Sequence, residues 1–156
     1  MLSARTRLAA VIGQPIRHSL SPTIFNAAFQ AAGLDWAYVA LEVAAGDGAA
    51  AMAGVRALGI DGVSVTMPHK EAVLPALDEL SADAAALEAV NCVVRDGERL
   101  VGHNTDGPGL LDALRVDEGL DPAGKRVVVV GAGGAARAVV RAMAGAGAAA
   151  VVVVNR

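Results

Sequence analysis

The sequence predicts an α/β fold with a mostly parallel sheet. Apolar segments alternate with segments of helical periodicity along the chain, which is typical of strands joined by helices. Glycine and proline mark the boundaries, because Pro22 stands at a helix start and Gly33 and Gly59 stand at helix ends. The third observation is the valine run 127–130, a fully apolar strand signal that leads directly into glycines.

The elements before residue 105 follow from these signals. Ser21 is the predicted N-cap of the first helix, and Asp96-Gly97 is a two-residue turn signal. Pro68 cannot donate a backbone hydrogen bond, so it ends the third strand and delivers Lys70 to the strand end. The predicted segments are, in chain order, strand 7–13, helix 21–34, strand 36–43, helix 47–59, strand 62–67, short helices at 71–80 and 82–89, and a hairpin over 91–104.

A glycine motif follows the valine run. In "VVVVGAGGAA", Gly131, Gly133 and Ala136 fit the G-x-G-x-x-A form of the dinucleotide fingerprint. The first glycine permits the turn, the second lets a pyrophosphate approach the backbone, and the small third residue lets the helix pack on the strand. A helix at 135–147 and a strand at 149–156 complete one β-α-β unit. An ordinary glycine turn is the alternative interpretation.

The end of the last predicted strand bears on which dinucleotide binds. An NAD site carries an acidic residue about 20 positions after the first glycine, and this sequence has Asn155-Arg156 in that region. A guanidinium suits a 2′-phosphate, because it forms paired charge-assisted hydrogen bonds. NADP is therefore favoured over NAD, unless Arg156 is only a solvated chain end.

The chain is predicted to contain one domain and the start of another. A helix begins near Asp106, and the polar linker 117–125 leads into the β-α-β unit. A doubly wound nucleotide-binding sheet has about six strands, of which this unit supplies two. We therefore expect a complete α/β domain over 1–105, followed over 106–156 by a linker helix and an incomplete Rossmann-type domain.

Composition and charge narrow the function classes. The net charge is −3 without a basic run, which argues against a nucleic-acid partner. One cysteine, Cys92, excludes a disulfide framework, and the three histidines lack metal-ligand spacing, so no metal is expected. No segment has the roughly 20 uncharged apolar residues of a membrane span, and the apolar run 8–12 is too short for a secretory signal. We expect a cytoplasmic protein without a membrane partner.

Two serines precede the first predicted helix. Ser19 and Ser21 stand two residues apart, and with the amides of a helix N-terminus they can form an anion site that suits a carboxylate. The alternative is that Ser21 simply caps the helix and Ser19 is a loop residue.

A lysine and an aspartate are candidates for proton chemistry. Lys70 and Asp106 each follow a strand-like segment and precede a predicted helix, and ligands of α/β sheets bind at the carboxyl ends of strands. Such a pair can handle a proton during carbonyl reduction, although two surface charges at helix starts fit the spacing equally well. Asn91 and Asn104 are polar residues at strand ends, and the pattern requires no role for His69.

Taken together, these segments resemble the shikimate dehydrogenase family over nearly the whole chain. The matching segments, in family order, are "GQPIRHSLSP", "GVSVTMPHK", "EAVNCVV", "GHNTDGPG", "VVVVGAGGAARAV" and the terminal "NR". The resemblance implies a substrate-binding α/β domain followed by a Rossmann-type NADP-binding domain. It also implies reversible reduction of 3-dehydroshikimate to shikimate with NADPH, in chorismate and aromatic amino-acid biosynthesis.

The resemblance further implies a role for each candidate residue. Ser19 and Ser21 look like the hydroxyl pair that holds the substrate carboxylate, and Lys70 and Asp106 look like the catalytic pair. The family's polar groups around the ring hydroxyls are matched in this sequence by three residues, Thr66, Asn91 and Asp106. The implied NADP-binding residues are Gly131, Ala132, Gly133, Gly134 and Ala135 in the phosphate loop, with Asn155 and Arg156 at the 2′-phosphate.

Members of the family are longer than this chain. The resemblance therefore implies a truncated form, which is expected to be poorly active or inactive and to expose a strand edge at 127–130 or 151–154. Paralogues that use quinate or aminoshikimate share the serine and Lys–Asp pairs, so they are alternatives. An inactive substrate-binding fragment and a generic nucleotide-binding protein are further alternatives. The implied partner is a small-molecule substrate, bound by a monomer or a homodimer.

Overall fold

The chain forms two compact units in a computed structural model that describes residues 2–156. The first unit ends at His103, and the second comprises Asn104–Arg156. The elements of the first unit are Arg7–Gly13 (β1), Ser21–Ala31 (α1), Trp36–Glu42 (β2), Gly48–Ala57 (α2), Gly62–Val65 (β3), Glu79–Leu80 (β4), Ala82–Leu87 (α3), Cys92–Asp96 (β5) and Arg99–His103 (β6).

The first unit is built on a six-stranded sheet in the order β2-β1-β3-β5-β6-β4. Strand β1 pairs in parallel with both β2 and β3, and β4 pairs in parallel with β6. Strand β5 alone runs antiparallel to its neighbours β3 and β6. The predicted α/β class with a mostly parallel sheet is confirmed, and the carboxyl ends of β1, β2 and β3 lie at one edge of this sheet.

The central strands send alternate side chains into two cores. In the larger core, Ile12, Val63 and Val65 pack with Met52 and Val55 of α2. These side chains are at most 4% exposed, so the burial of β1 and β3 against α2 fixes the strand ends that carry the candidate site.

The smaller core is aromatic. Val11 and Tyr38 are buried there, with Phe29 of α1 packed against them. The rings of Phe25 and Tyr38 stack with their centroids 4.4 Å apart and their planes 5° apart. Helix α1 therefore contacts the sheet through aromatic rings, which compensates for the absence of any buried residue along its length.

The predicted helix at 71–80 is wrong. That segment contains a 3-10 turn, Leu74–Ala76, and the short strand β4. Pro75 cannot continue a helical hydrogen-bond ladder. Asp78 instead joins Leu100 of β6, because its N–H donates to the Leu100 carbonyl (3.0 Å) and its carboxylate accepts the Leu100 N–H (2.7 Å). A sheet edge therefore captures the segment.

The turn of the hairpin and the end of β3 also differ from the prediction. Asp96 pairs with Arg99 in the hairpin register, so the turn residues are Gly97 and Glu98, with Gly97 at φ +61°. Strand β3 ends at Val65 rather than at residue 67, which leaves Thr66 outside the ladder.

The second unit is a β-α-β unit preceded by a helix. Its elements are Asp106–Asp117 (α4), Arg126–Val130 (β7), Gly134–Gly145 (α5) and Ala150–Val154 (β8). Strands β7 and β8 pair in parallel in a two-stranded sheet, as predicted for the start of a Rossmann-type unit. Within residues 2–156, no helix is long and apolar enough to cross a membrane.

Candidate active site

The loops that follow β1 and β3 are tied together by backbone hydrogen bonds. The Thr66 N–H donates to the Ile12 carbonyl, and the Gln14 N–H donates to the Met67 carbonyl, both at 3.0 Å. We call residues 14–20 the serine loop and residues 66–73 the lysine loop. The two loops therefore share one framework at the carboxyl edge of the sheet.

The loop after β2, residues 43–47, belongs to the same framework. The Val43 N–H donates to the Gly13 carbonyl (3.2 Å), and the Ala45 N–H donates to the Gln14 side-chain oxygen (2.7 Å). The serine loop therefore stands between the two other loops and is bonded to each.

Thr66 is fixed by close approach to Gly13. A Cβ atom built on Gly13 would lie 2.5 Å from the Thr66 Cγ2 and 3.1 Å from the Met67 carbonyl oxygen. No real Cβ tolerates the shorter distance, so only glycine fits. The missing side chain at the end of β1 lets the Thr66 side chain pack against the serine loop.

The structure corrects the predicted cap of α1. Leu20 is the N-cap residue, with helical angles (φ −86°, ψ −5°), and Ser21 is the first residue of the helix. No side chain caps α1. The helical turn begins one residue earlier than predicted because the Leu20 carbonyl already accepts the Ile24 N–H (3.1 Å). Ser19 accepts the Ser21 N–H through its hydroxyl oxygen at 3.3 Å. The capping interpretation of Ser21 is therefore wrong, and its hydroxyl stands beside a helix N-terminus without serving as a cap.

Lys70 and Asn91 are brought to the same edge by two backbone bonds. The Lys70 carbonyl accepts the Val90 N–H, and the Asn91 carbonyl accepts the Val65 N–H, each at 2.8 Å. Both residues are partly buried. Thr66 follows Val65 directly, so Thr66, Lys70 and Asn91 cluster around the end of β3.

His69 is a buried residue of the site region to which the sequence pattern assigned no role. Its side chain is 0% exposed, and its Nε2 lies 2.9 Å from the Val43 carbonyl oxygen. The sequence offered one signal for it, an ionisable residue next to Pro68 in an apolar segment. Spacing alone does not distinguish such a buried histidine from a histidine on the surface.

A second polar contact was also missed. The Tyr38 hydroxyl donates to the Ser64 hydroxyl oxygen at 2.7 Å, and Ser64 pairs with Cys92 across β3 and β5. Burial raises the pKa of Tyr38 above its ordinary value, and burial raises the pKa of the Cys92 thiol as well. Ser64 lies two residues before Thr66, so these three neutral groups lie on the sheet near the end of β3.

Asp106 belongs to the second unit, whereas Lys70 belongs to the first. The Asp106 N–H donates to the Asn104 side-chain oxygen at 3.1 Å, and Asn104 is buried. Asp106 is the first residue of α4 and is partly buried. The Asn104 amide therefore organises the turn that begins this helix.

The structure gives a reason within the chain for only one of the two glycines of the fingerprint, Gly131. Gly131 has φ +106°, a conformation that favours glycine. Gly133, the N-cap of α5, has ordinary extended angles, and a Cβ there would meet nothing within 4 Å. Neither strain nor crowding within the chain explains Gly133. Open space above its backbone fits the close approach of a phosphate group, so this loop passes a test of compatibility with a dinucleotide.

The end of β8 lies beside this glycine loop. The Gly131 N–H donates to the Val154 carbonyl at 2.8 Å, which places Asn155 and Arg156 directly after the strand that neighbours the loop. Both residues are exposed. Ala132, Gly133 and Ala135 are exposed as well, and Gly134 begins α5.

Among residues 2–156, no group of three or more histidine, cysteine or acidic side chains is arranged to hold a metal ion. The polar side chains around the end of β3 are hydroxyl, amide and ammonium groups together with the His69 imidazole, and the second unit adds the Asp106 carboxylate. Such groups bind oxygen-rich organic ligands and transfer protons.

The fold and these sites define a class, namely an α/β protein with polar groups at the carboxyl edge of one sheet and a glycine-rich β-α-β unit of the Rossmann type. The profile of the family described as "Shikimate dehydrogenase substrate binding domain" matches residues 11–93. The chain belongs to the shikimate dehydrogenase family.

Two curated relatives are named shikimate dehydrogenase (NADP(+)). The relative from Geobacter metallireducens is 50% identical over 155 residues, which are 99% of this chain and 54% of that protein. The relative from Geobacter sulfurreducens is 55% identical over 151 residues, 97% of this chain and 53% of that protein. The chain thus spans about half the length of the curated relatives it matches.

Three solved structures are similar to this chain over almost its whole length, and two of them are shikimate dehydrogenases. A shikimate dehydrogenase in complex with NADP+ superposes with a TM-score of 0.93 at 39% identity, covering 100% of this chain and 53% of its own. Shikimate 5-dehydrogenase from Listeria monocytogenes, in complex with shikimate and NAD, gives 0.92 at 42% identity, with 99% and 53% covered. The 5-ketofructose reductase of a Gluconobacter strain gives 0.89 at 41% identity, with 99% and 55% covered.

Proposed function

We propose that the chain supplies the substrate site and the start of the cofactor site of an NADP-dependent shikimate dehydrogenase. The reaction is the reversible reduction of 3-dehydroshikimate to shikimate in chorismate and aromatic amino-acid biosynthesis. The observation that carries the proposal is the serine pair. Ser21 does not cap α1, and its N–H donates to the Ser19 hydroxyl oxygen. Both serines lie within the segment that matches the family's substrate-binding domain.

The serine pair binds the substrate carboxylate. Two hydroxyl groups can each donate one hydrogen bond to a carboxylate oxygen. The N-terminus of α1 adds the favourable end of a helix dipole, which attracts negative charge. This arrangement orients the ring acid by its one permanent anionic group.

Thr66, Lys70, Asn91 and Asp106 act on the rest of the ring. Thr66 and Asn91 bind ring hydroxyls, and the Lys70 ammonium donates its proton to the carbonyl oxygen as that oxygen becomes an alkoxide. Asp106 accepts a hydrogen bond from a substrate hydroxyl. Bound NADPH supplies the hydride that reduces the carbonyl carbon. Lys70 and Asp106 are the catalytic residues of this proposal.

The residues proposed to hold NADP lie in the second unit. The amides at Ala132, Gly133, Gly134 and Ala135 face the pyrophosphate, and Gly131, whose own N–H bonds to the Val154 carbonyl, makes the turn that leads to them. Asn155 and Arg156 face the 2′-phosphate. Support comes from the open backbone at Gly133 and from the exposed guanidinium after β8. As the sequence predicted, we assign the substrate role to residues 1–105 together with Asp106, and the cofactor role to the rest of residues 106–156.

Calorimetric titration of the 156-residue chain with shikimate tests the substrate assignment. We expect saturable 1:1 binding that Ser21→Ala weakens, whereas Thr23→Val, a change at an exposed position two residues later in α1, leaves it unchanged. Parallel titrations with quinate and aminoshikimate decide between the main proposal and its paralogue alternatives. Tighter binding of either analogue than of shikimate would contradict the substrate named here.

A second titration tests the cofactor assignment. In a fluorescence titration, NADPH should bind the chain more tightly than NADH. The Arg156→Ala change should remove this difference in affinity. Equal affinity for both cofactors would contradict NADP specificity. Shikimate binding without any NADPH binding would instead support the alternative of a substrate-binding fragment.

We further propose a cytoplasmic protein that acts as a monomer or a homodimer on small molecules, without a nucleic-acid or membrane partner. The support is the NADPH-dependent biosynthetic reaction itself and the net charge of −3 without a basic run. Cell fractionation tests the location, and sedimentation equilibrium tests the oligomeric state. A membrane-bound pool or a larger assembly would contradict this part of the proposal.

A further inference from the structure

The buried His69 connects the lysine loop with the loop after β2. A carbonyl oxygen can only accept, so the contact of 2.9 Å between Nε2 and the Val43 carbonyl oxygen requires a proton on Nε2. The other ring nitrogen, Nδ1, is buried and has no hydrogen-bond partner among residues 2–156. The ring therefore makes one directional bond, between two loops that are separate in sequence.

The imidazole ring has little room to move. A Cβ atom on Gly48, the first residue of α2, would lie 3.4 Å from the His69 Nδ1 and 3.0 Å from the Ala72 Cβ. Gly48 does not have a positive φ, so glycine is needed there for space rather than for conformation. The ring is consequently packed between the start of α2 and the lysine loop.

The backbone around His69 is also held on both sides. The His69 N–H donates to the Thr66 carbonyl (2.9 Å), and the His69 carbonyl accepts the Val73 N–H (3.1 Å). The next carbonyl along the chain, that of Lys70, accepts the Val90 N–H at 2.8 Å. The backbone of Lys70 is thus held in two ways, by the buried residue that precedes it and by the hydrogen bond of its own carbonyl.

We propose that His69 is the positioning residue for Lys70. If position 69 only filled the core, an apolar side chain would be more stabilising than histidine. The reason is that burying the Nδ1 acceptor without a hydrogen-bond partner costs free energy. What an apolar side chain of similar size cannot supply is the bond to Val43. That bond fixes the direction in which the lysine loop leaves β3. It thereby also fixes the backbone position of Lys70.

This inference rests on the proposed function only for the role of Lys70. We call the hydrogen bond between His69 and the Val43 carbonyl the brace. Its effect on Lys70 can be tested without substrate, because Lys70 and Lys125 are the two lysines of the chain. Lys125 is exposed and lies in the second unit, so it serves as an internal reference. The measured quantity is the ratio of the acetylation rates of Lys70 and Lys125 with a limiting amine-reactive ester, followed by peptide mass spectrometry.

Two variants distinguish the bond from the bulk. His69→Leu keeps apolar volume and removes the donor, whereas His69→Gln places an amide N–H near the position of Nε2. We expect His69→Leu to raise the Lys70/Lys125 rate ratio about 3- to 10-fold, as loss of one buried hydrogen bond shifts a local opening equilibrium. His69→Gln should restore the wild-type ratio.

Hydrogen exchange at the amides of Val63 and Val65 separates a local effect from general loosening. These amides should keep their wild-type protection in both variants. An unchanged ratio in His69→Leu, a failure of His69→Gln to restore it, or a parallel loss of protection along β3 would overturn the proposal. Protection of Lys70 by shikimate in the wild-type chain is a separate result, and its absence would count against the proposed function while leaving the brace intact.

Discussion

Gly107 packs directly against Ala138, so that a Cβ atom at position 107 would lie 3.2 Å from the Ala138 carbonyl oxygen. It would also lie 3.0 Å from the Ala142 Cβ. Helix α4 thus contacts α5 one residue after Asp106. The candidate acid–base residue, Asp106, therefore lies at the start of a helix that packs against α5, the helix of the glycine fingerprint.

This contact predicts opposite effects for two glycines of α4. Gly107→Ala should destabilise the second unit by about 1–3 kcal/mol, because overpacking forces the two helices apart. Gly109→Ala is the matched control, since a Cβ there meets nothing within 4 Å, and it should be neutral or stabilising by up to about 1 kcal/mol. Hydrogen exchange at the β7 amides measures both effects. Equal protection in the two variants would show that the close approach carries no energy.

A similar comparison tests the framework of the candidate substrate site. Gly13→Ala would place a Cβ 2.5 Å from the Thr66 Cγ2, so the serine and lysine loops must separate. We expect a loss of about 1–3 kcal/mol in the free energy of unfolding and weaker shikimate binding. Gly54→Ala in α2, where nothing lies within 4 Å, should change neither binding nor stability unfavourably. Urea unfolding followed by circular dichroism, with calorimetry for binding, gives both quantities.

These glycines also mark what sequence patterns could and could not predict. The apolar run of β1 predicted its bounds, Arg7–Gly13, because a strand buried on both faces has a clear sequence signal. The requirement for glycine at 13 comes from Thr66, which is far away in sequence. The same holds for the segment 71–80, where pairing with Leu100 replaced the expected helix. Long-range contacts of this kind leave no periodic signal in the segment itself.

The candidate site divides in the same way. The residue types and spacings of Ser19, Ser21 and Lys70 are local features, and sequence analysis found them. Whether Ser21 acts as a cap depends on the backbone angles of Leu20, which the preference of serine for N-caps does not determine. His69 was missed because its importance lies in a contact with Val43, on another loop.

The ion pair between Arg7 and Asp61 predicts an acid-dependent contribution to stability. The Arg7 guanidinium donates to the Asp61 carboxylate at 2.6 Å, and this hydrogen bond holds the pKa of Asp61 below its usual value. A carboxyl group with a lowered pKa in the folded state stabilises the fold above its unfolded pKa of about 3.9. That contribution is lost as the pH falls through the lower folded pKa.

Asp61→Asn should therefore flatten the decrease of unfolding free energy below pH 4 relative to the wild type. Arg7→Met should flatten it as well, because it removes the cause of the shift. Arg5→Met, at an exposed position two residues earlier, should keep the wild-type slope. Thermal melts at closely spaced pH values measure the effect, and identical slopes in all four proteins would contradict it.

The partly buried thiol of Cys92 predicts slow alkylation with a pH dependence shifted to alkaline values. Burial raises the pKa of this thiol, and the thiolate is the reactive form. The rate with iodoacetamide should rise with pH to a midpoint above the value of about 8.5 found for free cysteine. Because Cys92 is the one cysteine of the chain, the urea-unfolded protein provides the control. A folded-state midpoint at or below that of the unfolded chain would be inconsistent with burial as the cause.

The last prediction concerns Lys70 as the proton donor of the proposed reaction. Turnover is measured in a chimera in which this chain continues with the C-terminal half of the Geobacter sulfurreducens relative. Lys70→Met removes the ammonium group and keeps most of the side-chain volume. Because a positioned general acid contributes about 10²–10⁴ in rate, kcat should fall by roughly that factor while shikimate still binds. Lys125→Met is the matched control and should keep wild-type kcat. Near-normal turnover in Lys70→Met would remove this lysine from the mechanism, whereas loss of shikimate binding alone would assign it to substrate recognition.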